Sequence, residues 1–140
     1  MNSETTLTII YVDHPDLIEI RIDARSDAFT GSVDLYEAPN ALHRLASAIV
    51  GFPSSISDNR SCALGAPDED FAGGAASFDL RCINKRGTGE LVLKVRQARE
   101  AGAQSAIIIR PVSAAQIDQF VTELMRTSAR VGDRASLPAF

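Results

Sequence analysis

Residues Leu17–Ala24 read LIEIRIDA, and the alternation is regular: Ile18, Ile20 and Ile22 fall on one side of an extended chain, and Glu19, Arg21 and Asp23 on the other. This predicts a strand with one buried and one wet face. Before it, TLTIIYV (Thr6–Val12) is a β-branched run, and DHPD (Asp13–Asp16) is rich in turn formers. After the turn RSDA, FTGSVDLY alternates again. Phe29, Val33 and Leu35 are expected inward; Thr30, Ser32, Asp34 and Tyr36 outward. Gly31 lies in the inward set, where a glycine marks a bulge or a close approach by a helix.

The period then changes. Leu42, Leu45, Ala46, Ile49 and Val50 recur at helical spacing behind Asn40, a good N-cap residue. Gly51 suits the C-terminal cap, Pro53 forbids continuation, and Phe52 between them is expected to fold back onto the core. Residues 54–76 are rich in Ser, Asp, Gly and Pro, with SCALG a short strand and APDEDFAGGA a loop. FDLRCINKRGTGELVLKVR (Phe78–Arg96) reads as a β-hairpin; Phe78, Leu80 and Cys82 form one inward row and Leu91, Leu93 and Val95 the other. SAIIIRPV is apolar on both faces, as in a central strand covered on both sides.

Ser113 and Gln116 match a capping box. The helix they open runs to about Arg130, burying Ile117, Phe120, Val121, Leu124 and Met125. The remainder, VGDRASLPAF, has no period and is expected to be a flexible tail. The order βββ-α-(β)βββ-α gives one α+β domain over residues 1–130, followed by the tail 131–140. Its simplest architecture is a single twisted, mostly antiparallel sheet of six or seven strands with two helices on one face. The other face would carry Glu19, Arg21, Asp23, Asp34, Tyr36, Asp79, Arg81, Lys94 and Arg96.

Composition narrows what that face meets. The chain has 140 residues, 45% hydrophobic and 23% charged, with a net charge of −4. Nucleic acid is not expected as partner, because phosphate neutralisation needs a surplus of Lys and Arg. No apolar run approaches the roughly 20 residues of a membrane span, and the N-terminus lacks a secretory pattern. A cytoplasmic protein is expected, with Cys62 and Cys82 as free thiols.

Candidate chemistry is sparse. His14 falls in a turn and His43 on a helix, with no HxxxH or CxxC spacing, so no metal is expected. No serine sits in a GxSxG elbow, and Cys82 lies in an apolar row where a thiol is inert. The Gly87–Gly89 segment joins two strands instead of feeding a helix, so it is a turn rather than a phosphate cradle, although Lys85 and Arg86 beside it offer a basic tip. Asp68, Glu69 and Asp70 stand together in the loop before the hairpin. They read as a solvated surface or as a docking patch for a basic partner; the spacing does not suit calcium.

The segments ALHRLASAIVGFP, DNRSCALG, FDLRCINKRGTGELVLKVR and AAQIDQFVTEL together resemble a group of small bacterial α+β proteins. Proteins of this size and layout are similar to immunity proteins, which bind and neutralise a toxin domain. That resemblance implies a non-enzymatic protein-binding module without a cofactor. Its partner, a cognate toxin, would dock on Asp68–Asp70 or on the polar sheet face. Two other expectations stand beside it. One is a homodimeric scaffold that pairs through an edge strand or sheet face. The other is a small-molecule binder whose polar groups are His43, Arg44 and Arg60.

Overall fold

A computed structural model describes residues 3–65, 73–99 and 102–138. The described elements are β1 (Glu4–Asp13), β2 (Leu17–Arg25), β3 (Thr30–Glu37), α1 (Ala41–Ile49), β4 (Asn59–Gly65), β5 (Gly74–Cys82), β6 (Gly89–Arg99), β7 (Gly102–Val112), α2 (Ala114–Arg126) and β8 (Arg134–Leu137). The α+β class and the antiparallel pairing are as expected from the alternation. The single sheet is not. The strands form two four-stranded sheets, ordered β3-β2-β1-β8 and β4-β5-β6-β7. Alternation specifies which face of a strand is buried. It does not specify which strand lies alongside, and here the chain leaves the first sheet through α1 and returns through α2.

The return corrects the expected tail. Arg134–Leu137 forms β8 against β1, with Thr5 opposite Leu137 and Leu7 opposite Ala135. Ala135 and Leu137 are buried. Four residues are too few to display a period, so the strand is visible only in its pairing.

The sheets meet at a corner. Successive residues of β3 touch successive strands of the second sheet. A methyl group on Gly31 would lie 3.4 Å from Ala106 of β7 and from Val95 of β6. The Asp34 N–H donates to Gln97 Oε1 of β6 at 2.9 Å. Gly74 of β5 lies against Val33 and Asp34, and the Gly65 N–H of β4 donates to Glu37 Oε2 at 2.9 Å. β3 therefore runs across the second sheet, as in sheets packed with crossing strands. The close approach at Gly31 is made by that sheet and not by a helix.

The helices complete the enclosure. They pack on each other, α1 beside β4 and α2 beside β8. Leu42, Leu45, Ala46 and Ile49 of α1 join Ile117, Phe120 and Leu124 of α2 in one core with the inner rows of both sheets. The capping box is present. Gln116 N–H donates to Ser113 Oγ at 3.1 Å, and Ser113 N–H to Gln116 Oε1 at 2.8 Å. Asn40 holds the N-cap of α1 without a side-chain capping bond. Gly51 takes φ 78°, and Phe52 turns inward and is buried. Three apolar residues expected inside are exposed: Phe29, in the turn before β3, Val50, at the end of α1, and Met125 on α2.

β7 also departs from expectation. It is the edge of its sheet, and Ile107 and Ile109 on its outer side are 62% and 60% exposed. Its inward side carries Arg110, only 1% exposed. Arg110 Nη1 donates to the carbonyls of Ser3 (3.0 Å) and Leu137 (3.1 Å), and Nη2 to that of Pro138 (2.5 Å). Gln116 Nε2 donates to the same Pro138 carbonyl at 3.2 Å. Desolvation pulls the Arg110 pKa down, against a small opposing pull from Glu4. Neutral carbonyl dipoles hold this buried cation where a carboxylate would be usual.

Candidate functional site

The polar residues expected on one face are divided between two. Glu19, Arg21, Asp34 and Tyr36 stand on the outer face of the first sheet, and Asp79, Arg81, Lys94 and Arg96 on that of the second. The division follows directly from the two-sheet topology.

On the first sheet, register brings together a row that the alternation does not reveal. Tyr36 lies opposite Glu19, and Glu19 opposite Tyr11 on the other side. By simple alternation Tyr11 belongs with Leu7 and Ile9, facing the core. A β-bulge between Ile9 and Tyr11 shifts the register and turns Tyr11 outward. Tyr11 is 50% exposed and Tyr36 44%. The sequence signal for Tyr11 is faint: an aromatic with a polar handle at the end of a long β-branched run. The negative charge of Glu19 raises the Tyr36 pKa, with desolvation and a side-chain hydrogen bond to Glu19 adding to it.

The next row fixes the adjoining charge. Arg21 makes a bidentate pair with Asp34, Nε to Oδ1 at 2.8 Å and Nη2 to Oδ2 at 3.0 Å. The hydrogen bond and charge of Asp34 raise the Arg21 pKa, with smaller contributions from Asp23 and Glu19. The guanidinium is thus held in one orientation within a predominantly acidic neighbourhood. Further along the face, Glu4, Thr6, Thr8, Asp23, Arg25 and Arg134 line a depression of about 590 Å³.

On the second sheet, Arg81 pairs with Glu90 at 2.7 Å, and Asp79 accepts the Ser61 hydroxyl. Lys94 lies between Ser77 and Ile107, and Arg96 between Ala75 and Ser105. The small side chains of Ala63, Ala75 and Ser77 leave a shallow, largely apolar groove of about 330 Å³ beside Lys94 and Ile107.

Asp68, Glu69 and Asp70 lie outside the described residues. The three polar groups suggested for a small-molecule pocket have separate engagements. His43 Nε2 donates to the Thr127 carbonyl at 2.8 Å, tying α1 to the end of α2. Arg44 pairs with Glu37 at 2.9 Å. Arg60 grips Asp58 at 2.9 Å, donates to the Val50 carbonyl at 2.8 Å, and stacks over the Phe52 ring. These contacts fasten elements together. Burial pushes the Cys62 thiol pKa up, which keeps it neutral and unreactive. Among the described residues, no group of three or more His, Cys, Asp or Glu is placed to hold a metal. None of the described helices is long and apolar enough to cross a membrane.

No protein-family model, curated protein or solved structure matches the chain.

Proposed function

We propose that the chain is a non-enzymatic protein-binding module of the immunity type, which docks a toxin domain on the outer face of the first sheet. The observation that carries this reading is the row Tyr11–Glu19–Tyr36: two half-exposed tyrosines flank a carboxylate on a rigid, core-backed sheet. Tyrosine offers a large contact area at a small entropy cost and keeps a hydroxyl for the partner's polar groups, which is why it is enriched among binding hot spots. Arg21 is already oriented by Asp34, so little freedom remains to be lost on docking. Glu19, Asp23 and Asp34 surround that arginine, which fits a partner with a basic surface.

The test is titration calorimetry of the purified chain against products of the neighbouring genes. The expected result is a one-to-one complex that blocks the partner's toxicity. The reading fails if none of those products binds, or if one binds equally well to a chain lacking both tyrosine side chains.

A further inference from the structure

Four strands edge the two sheets: β3, β8, β4 and β7. Three are closed or short. β3 is crossed by the second sheet and spends an edge N–H on Gln97. β8 has four residues, and β4 lies beside α1. β7 has 11 residues, and among the described residues only β6 is paired with it.

Its free side can be worked out from the ladder. The Ala98 N–H of β6 points toward β5, where it meets the Gly73 carbonyl. Hydrogen-bonding direction alternates along a strand, so even-numbered residues of β6 face β5 and odd-numbered ones face β7. Leu91 and Leu93 of β6 lie opposite Arg110 and Ile108. The even-numbered residues of β7 are therefore bonded to β6, and Ser105, Ile107 and Ile109 direct their N–H and C=O groups to the open edge. Pro111 agrees with this phase, since its missing N–H is on the unpaired side.

Natural edge strands are protected by charges, prolines or bulges. Residues 102–109 read GAQSAIII, without charge or proline, and the pairing of β7 with β6 shows no register shift. We infer that β7 pairs antiparallel with β7 of a second copy about a two-fold axis near Ile108, joining the two β4-β5-β6-β7 sheets into one. This register sets Ile107 opposite Ile109 of the partner copy and Ile109 opposite its Ile107, and at each end sets Ser105 opposite Pro111, which gives only its carbonyl to the new ladder. Four exposed isoleucines then cover one another, and no like charges meet across the new pair. A charged strand from another protein would place its charges against these isoleucines. The chain's own β7 is complementary to itself and present at equal concentration. The inference does not rest on the tyrosine face, which lies on the other sheet.

Sedimentation over a concentration series tests it. The mass should rise from 15.0 kDa toward twice that value in the wild type. Ile107→Lys and Ile109→Lys, both on exposed side chains, should remain monomeric with unchanged melting temperatures. In the wild type, amide exchange at Ser105, Ile107 and Ile109 should slow as concentration rises, a readout that needs no variant. A constant monomer mass overturns the inference. So does a dimer that persists in both lysine variants, or one whose formation leaves those three amides unprotected.

Discussion

The guanidinium of Arg110 and the carbonyl oxygen of Ser3 lie 3.0 Å apart, although the two residues are 107 positions apart in the chain. With Leu137 and Pro138, the contact makes one side chain of β7 the fastening for the start of β1 and the end of β8. Arg110→Ala would take a donor from the carbonyls of Ser3 and Leu137 and leave that of Pro138 to Gln116 Nε2 alone, and a loss of about 2 kcal/mol is expected. Arg110→Lys keeps the charge, but an ammonium cannot span the same carbonyls, so an intermediate loss should follow. Urea unfolding of the three proteins measures both.

Gly74 sits where β3 crosses β5. A methyl group there would overlap Val33 Cγ2 and stand 2.5 Å from the Asp34 carbonyl oxygen. The backbone oxygen cannot swing aside, so Gly74→Ala should destabilise by more than about 2 kcal/mol. Gly73→Ala, with nothing within 4 Å of the added carbon, is the matched control and should change stability little. Thermal unfolding of the two variants makes the comparison.

Asp58 gives stability a pH dependence. Its carboxylate accepts from Arg60 Nε at 2.9 Å, from Ser54 N–H at 2.7 Å and from Ser54 Oγ at 3.0 Å. Arg60 first, then the Ser54 N–H, lowers its pKa from 3.8 to about 2. A depressed carboxylate pKa stabilises the fold above the unfolded value and ceases to do so once the native carboxylate is protonated. The wild type should thus exceed Asp58→Asn in stability above pH 3.8, and the gap should close as pH falls through about 2. Urea midpoints measured across that range will show whether it does.

Tyr11 and Tyr36 are expected to act in binding and to matter little for folding. Each is anchored at its backbone and half exposed at its ring. Tyr11→Ala and Tyr36→Ala should each weaken the complex by about 2 kcal/mol, roughly thirtyfold. Their melting temperatures should stay near that of the wild type. Calorimetric titration with the neighbouring gene product, beside thermal unfolding of each variant, separates the two effects.

Local structure was legible in the chain where a short-range rule governs it. Ser113 and Gln116 announced the start of α2, Gly51-Phe52-Pro53 the end of α1, and the isoleucines of β2 their buried face. What depends on distant partners was not legible. Ile107 and Ile109 read like a covered strand, because apolar composition does not record whether a neighbouring layer exists. Arg110 gives no sign of burial, since main-chain carbonyls, which any sequence provides, satisfy it. On the proposed face, Glu19, Arg21, Asp23, Asp34 and Tyr36 followed the alternation. Tyr11 escaped it because one extra residue at the bulge inverts the sides of the strand beyond.

β1 and β8 run antiparallel, with Thr5 facing Leu137, so the first and last described strands finish side by side above β7. A short linker could therefore close the chain into a ring. Reopening it between Lys85 and Arg86, at the exposed tip of the β5–β6 turn, would create a circular permutant in which every strand keeps its neighbours. The Arg110 clasp would then lie inside an unbroken stretch of polypeptide.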